Sequence, residues 1–123
     1  MSGGDVIQQL YRAMESGNIE AAMALVHEDF VMEWPQSGER FRGRDNALGA
    51  LSVQTDRPEA EGEPRIVGSG DVWVVQMRLR YASGLNHYVG VYELRDDKLA
   101  RSTEYFGAPF PAQEFRARFA EKA

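Results

Sequence analysis

The 123-residue chain has no cysteine, which excludes disulfides, thiolate nucleophiles and thiolate metal sites. Histidine is nearly as scarce. His27 and His87 are the only imidazoles, so a metal site would have to rest on carboxylates, and neither a metal nor a cofactor is expected. No apolar run approaches the roughly 18 residues that suggest a membrane-crossing helix. Met1-Ser2-Gly3-Gly4-Asp5 lacks the basic flank and apolar stretch of a signal peptide, so a cytoplasmic location is the expectation. Positive charge is short as well, with 14 basic against 19 acidic residues and a net charge of −5. That balance argues against nucleic acid or an anionic membrane surface as partner, both of which need a basic field. Gly68-Ser69-Gly70 lacks the third glycine of a dinucleotide fingerprint and precedes a strand. There is also no P-loop, no His-Glu-x-x-His and no Gly-x-Ser-x-Gly, so neither a nucleotide cofactor nor serine hydrolysis is indicated.

What is present is 43% apolar sequence, enough for one domain over residues 1–123 with a sizeable core. Val6, Ile7, Leu10, Tyr11 and Met14 recur at helical spacing between Asp5 and Glu15, and Asp5 with Gln8 resembles a capping box. Gly17 closes that helix. Asn18 can cap a second helix running through Ile19, Ala22, Met23, Leu25 and Val26, and Phe30–Trp34 reads as a strand stopped by Pro35. Arg40-Phe41-Arg42 suggests a short strand and Asp45–Val53 a third helix. Asp56–Pro64, charged and twice interrupted by proline, suggests a mobile loop. Arginines 40, 42 and 44, flanked by Glu39 and Asp45, read as a solvated edge.

Beyond Arg65 the period becomes two. Strands are expected at about Asp71–Ala82, Asn86–Arg95 and Lys98–Phe106, joined by short turns at Ser83-Gly84 and Asp96-Asp97 that force antiparallel pairing. Helices followed by such strands define an α+β fold with helices on one sheet face. Trp73, Val75, Met77, Leu79 and Tyr81 form one row of the first long strand and should face the helices. Tyr88, Gly90, Tyr92 and Leu94 share a face of the second strand, and Ser102, Glu104 and Phe106 share one of the third.

Two segments carry a family resemblance: Glu33-Trp34-Pro35-Gln36-Ser37-Gly38-Glu39-Arg40-Phe41-Arg42-Gly43-Arg44-Asp45, and Thr103-Glu104-Tyr105-Phe106-Gly107 with its polar helical tail Ala112–Phe119. They resemble the SnoaL-like branch of the nuclear transport factor 2-like superfamily. The resemblance implies a cone-shaped α+β barrel, in which three N-terminal helices pack on a strongly curved antiparallel sheet and enclose a pocket. It turns Glu104 inward, beside a lining of Tyr11, Met14, Trp34, Trp73, Met77 and Phe106. It also implies a homodimer formed through the open sheet face.

In that setting Glu104 is expected to act as general acid or base on a small apolar or aromatic carbonyl compound, with Tyr88 or Tyr92 orienting an enol or carbonyl oxygen. A cyclase-, isomerase- or lyase-like enzyme is one reading, and a noncatalytic ligand-binding or accessory domain is the other. Ketosteroid isomerases of the superfamily use a carboxylate base and a second, protonated carboxyl. At the matching places this chain has Trp34 and Gly90, and Tyr11 stands one residue from the place of the isomerase tyrosine. Limonene-epoxide-hydrolase-like members need an arginine between two acids. Glu104 matches one acid, whereas Arg78 and Arg80 point to the wrong face.

Overall fold

A computed structural model describes residues 1–123. Helix α1, Gly3–Glu15, begins one turn earlier than its sequence suggests, because Ser2 rather than Asp5 caps it. The Ser2 hydroxyl accepts the Asp5 amide at 3.1 Å, and the Asp5 carboxylate accepts the Ser2 amide at 3.0 Å. This reciprocal box satisfies two otherwise orphaned donors. Val6, Ile7, Leu10 and Ala13 are the buried face of α1. Gly17, at φ +73°, supplies the left-handed residue that ends the run. Asn18 then caps α2, Ile19–Ala24, by accepting the Ala21 amide.

Six strands follow: β1 Val26–Trp34, β2 Glu39–Arg42, β3 Glu59–Ser69, β4 Val72–Tyr81, β5 Gly84–Arg95 and β6 Lys98–Gly107, with α3, Arg44–Ser52, between β2 and β3. They form one open sheet in the order β2-β1-β6-β5-β4-β3. Two expectations are corrected. The sheet is not wholly antiparallel, since β1 and β6 run parallel, with Met32 opposite Ser102. Nor is residues 56–64 a loop throughout, since Glu59–Pro64 begins β3. The glutamates, Gly62 and Pro64 that disguise β3 are residues an exposed edge strand accepts, because charge and proline discourage further pairing there. The Asp96-Asp97 turn holds as expected. Both residues take positive φ, 53° and 62°, as a tight two-residue hairpin demands.

The inward rows of β4, β5 and β6 lie where strand alternation places them. Val75, Leu79, Tyr88, Tyr92, Leu94 and Ser102 are buried with Val6 and Ile7 of α1. Each such aliphatic side chain contributes about 1.5–3 kcal/mol through burial, so α1 is held in the concave face by its apolar stripe. The tail is a short 3-10 helix, Glu114–Phe119, and packs on nothing: Phe110, Phe115 and Phe119 are all exposed.

Candidate functional site

Glu104 occupies the middle of β6 opposite Gly90 of β5, and only 9% of its surface is exposed. Four side chains from three other elements meet around it. Trp34, the last residue of β1, donates its indole N–H to Glu104 Oε1 at 2.9 Å. Tyr88 of β5 donates to Oε2 at 2.8 Å, and Tyr92 lies 3.4 Å from the same oxygen. The Tyr88 and Tyr92 hydroxyls are 2.5 Å apart, and Tyr11 of α1 continues the chain with its hydroxyl 2.5 Å from that of Tyr92. Phe106 packs edge-on against Trp34 and Tyr88, and Phe41 edge-on against Trp34, so aromatic rings wall the carboxyl in. Gln36 fastens the loop after β1 to the end of β6. Its amide oxygen accepts from the Phe106 backbone N–H at 2.6 Å while its NH2 donates to the Phe106 carbonyl, which fixes Trp34 over Glu104.

The local sequence that permits this network is Tyr88-Val89-Gly90-Val91-Tyr92. The three inward positions of β5 are tyrosine, glycine, tyrosine, and a Cβ at Gly90 would stand 2.6 Å from the Tyr88 hydroxyl and 3.2 Å from the Tyr92 ring. Gly90 therefore leaves the space in which the two hydroxyls meet. The sequence marked Gly90 only as a missing acid. Two tyrosines flanking a glycine on one strand face was the available sign of its spacing role.

Burial is the largest influence on the Glu104 carboxyl and raises its pKa above the ordinary glutamate value, against the pull of the Trp34, Tyr88 and Tyr92 hydrogen bonds. Desolvation likewise raises all three tyrosines, so they stay neutral phenols at physiological pH. No basic side chain offsets Glu104. Arg101 binds Glu33 at 2.7 Å, and Arg116 stacks on Phe115 in the tail. The Ser102 side chain is fully buried on the same face of β6.

Chemically the arrangement is a hydrogen-bond chain with two senses. With Glu104 ionised, Tyr11 donates to Tyr92, Tyr92 to Tyr88 and Tyr88 to the carboxylate. With Glu104 protonated every bond reverses, and the Tyr11 O–H is released as a free donor. A proton gained at Glu104 is thus expressed at Tyr11.

Two hollows flank this chain, and neither includes Glu104 in its lining. The inner one, about 180 Å³, lies between α1 and β3, bounded by Gln8, Tyr11, Arg12 and Glu15 on one side and Ala60, Gly62 and Pro64 on the other, with Glu63 and Met77 between. It exists because the inward residues of β3 opposite Tyr11 are small. The second, about 320 Å³, is bounded by Glu61, Glu63, Gln76, Met77, Arg78, His87, Tyr88 and Val89. Gln76, Arg78, His87 and Val89 alternate with buried neighbours, which places this hollow on the outer face of the sheet.

Of the residues expected to surround Glu104, the structure brings together Tyr11, Trp34, Tyr88, Tyr92 and Phe106, and puts Met77 between the two hollows. Two fall elsewhere. Met14 is 42% exposed, and Trp73 lies under the first turn of α1 against Gly3 and Gly4, with its indole N–H donated to the Gly70 carbonyl at 2.9 Å. The pocket expected around the acid is largely filled by these aromatic side chains. Arg78 and Arg80 both bind Glu61 on the outer face, at 2.5 and 2.6 Å, far from any pairing with Glu104. Arg44 reaches the Met23 and Val26 carbonyls, and His27 bonds the Arg95 carbonyl, which are structural contacts. Glu63 and the small residues of β3 line the inner hollow without a sign in the sequence, because Gly62 and Pro64 of that strand suggest a loop.

The SnoaL-like domain pattern matches residues 7–102. No protein of curated function matches the chain. Its fold is shared with a nuclear transport factor 2-like protein of unknown function from Burkholderia xenovorans, 26% identical with a TM-score of 0.77 over 97% of this chain and 93% of that one. A candidate ketosteroid isomerase from Kribbella flavida is 20% identical, with a TM-score of 0.89 over 98% and 89%. IdmH, a candidate polyketide cyclase from Streptomyces antibioticus, is 20% identical with a TM-score of 0.71 over 86% and 92%. An open curved sheet cupping α1, an acid facing inward from its β6 strand and a pattern match over most of the length agree: the chain belongs to the SnoaL-like family of the nuclear transport factor 2-like superfamily.

Proposed function

We propose that this protein is a cofactor-independent acid–base catalyst acting on a small apolar carbonyl compound, with the proton held at Glu104 and delivered through the tyrosine chain. The observation that carries this reading is the unbroken run of hydrogen bonds from the buried, uncompensated Glu104 carboxyl to Tyr11, a residue that lines the inner hollow. Tyr88 and Tyr92 turn their hydroxyls to Glu104 and to each other, so Tyr11 is the group that meets the ligand. When Glu104 is ionised, the Tyr11 oxygen takes the proton α to the carbonyl while its own proton passes to Tyr92, that of Tyr92 to Tyr88 and that of Tyr88 to Glu104. The chain, now reversed, then returns the proton from Tyr11 to the enolate. Cyclisation by aldol closure, isomerisation and elimination all begin with that enolisation. A hydrolase that activates water between an arginine and two acids finds no support, since Arg78 and Arg80 are held on the opposite face by Glu61.

A noncatalytic binding role is the second reading. It is favoured by the sealing of Glu104 from both hollows.

Exchange of the hydrogen α to a carbonyl for solvent deuterium, followed by proton NMR over a panel of cyclic ketones and β-dicarbonyls, separates the two. Catalysed exchange by the wild type, lost in both Glu104→Gln and Tyr11→Phe, is the expected result. Ligands that bind without exchange, or exchange retained in both variants, would reject the catalytic role.

A further inference from the structure

Pairing between β3 and β4 is interrupted at one place. Glu61 faces Arg78 and Arg65 faces Gln76, so Gly62, Glu63 and Pro64 together oppose the single residue Met77. Two surplus residues make this a large bulge, and its composition fits: Gly62 sits at φ +83°, where a side chain would be strained, and Pro64 has no N–H to offer the ladder. The bulge leaves Met77 without a partner on β3, while on its other side it still pairs with Tyr88 of β5. The two hollows lie on opposite faces of the sheet at this point. They share two lining residues, Met77 and Glu63, and these are the residues at the bulge.

We infer that Met77 is a specificity-determining gate: it closes a window through the sheet at the β3 bulge, and so limits the ligand of the inner hollow to about one ring. The volume supports that limit. The inner hollow, about 180 Å³, is comparable to the cavity of about 150 Å³ that accommodates benzene in an engineered protein interior. Beyond it stands Met77, and beyond Met77 the outer hollow of about 320 Å³. Methionine suits a gate, because its unbranched thioether changes rotamer at little cost and packs against many shapes. A second ring that a ligand held at Tyr11 directs toward the sheet displaces the Met77 side chain and passes into the outer hollow beside Tyr88 and Val89. Glu63 borders both hollows, and Arg12 and Glu15 line the inner one beside it, so the wall carries charges of both signs.

This gate rests on the proposed ligand site at Tyr11, not on the chemistry proposed there. The test uses methyl-13C-methionine NMR of the full chain, with the Met77 signal assigned from Met77→Leu, and titrates cyclohexanone against the two-ring ketone 1-tetralone. In the wild type, cyclohexanone shifts the Met77 methyl signal and tetralone binds weakly. In Met77→Ala, the ratio of tetralone to cyclohexanone affinity from ligand-observed titration rises about tenfold or more, and Met77→Phe weakens both. A ratio equal in the wild type and Met77→Ala, or a Met77 methyl signal that no ketone moves, overturns the gate. Met77 shifts without deuterium exchange would retain the gate and reject the catalytic reading alone.

Discussion

Replacing Glu104 with glutamine tests whether the buried carboxyl is a poised acid or a structural anion. A structural anion held by Trp34 and two tyrosines would owe its place to charge-assisted bonds, each worth about 1.5–3 kcal/mol. Losing that charge would then cost about 2 kcal/mol or more, even with the amide in the same pocket. The burial that dominates at Glu104 argues the opposite sign. Glutamine copies the protonated carboxyl: its oxygen accepts from Trp34, its NH2 takes the Oε2 position and donates to Tyr88, and the hydroxyl chain reverses to suit.

Because burial raises the Glu104 pKa above the ordinary glutamate value, the folded state binds its proton more tightly than the unfolded state does. The associated stability is fully present below that value and is lost as pH rises through the folded-state pKa, by about 1.4 kcal/mol for each tenfold difference in acidity between the two states. The glutamine variant carries no such penalty. Urea unfolding at pH values from about 4 to 8 should therefore give variant and wild type equal stability at the acid end, with the variant matching or exceeding the wild type near neutrality. A variant less stable by about 2 kcal/mol near pH 7 would refute the reasoning and make Glu104 a structural carboxylate.

Gly90→Ala should destabilise by about 1–3 kcal/mol in the same unfolding assay, since its Cβ meets the Tyr88 hydroxyl at 2.6 Å; unchanged stability would mean that the tyrosine pair does not need this gap. Gly68→Ala should cost at least as much, because the added carbon would lie 2.4 Å from the Val72 carbonyl oxygen and 2.7 Å from Trp73 Cα, both backbone atoms. Removing residues 112–123, all exposed, should move Tm by less than about 2 °C. Light scattering should give twice the 13.8 kDa chain mass, because the outer sheet face leaves Val67, Val72 and Tyr105 uncovered and suits a twofold partner; the monomer mass at micromolar concentration would overturn that pairing.

The parts of this fold that could be read in advance are those where one local rule decides the outcome. Alternation along β4, β5 and β6 groups Val75, Tyr88, Tyr92 and Ser102 each with its row, the resemblance turns the β6 row inward, and the structure buries all four. What escaped depended on neighbours remote in sequence. Nothing between Val26 and Trp34 announces that β1 will run parallel to β6, since that pairing is set by strands more than 60 residues apart. β3 was hidden because an edge strand with a bulge tolerates Gly62 and Pro64, the residues that elsewhere signal a loop.

The site divides along the same line. An acid on an inward strand position was legible at Glu104, and so were its aromatic neighbours as a composition. Their connectivity was not, for it requires a helix to bring Tyr11 to within 2.5 Å of Tyr92, 81 residues away. That contact changes which residue can act. The resemblance offers Tyr88 and Tyr92 of β5 to the ligand, yet the gap at Gly90 lets those two satisfy each other and Glu104. The hydroxyl left to change its sense with the state of the acid is then the one on α1, carried by a residue that also lines the hollow left open by small residues of β3.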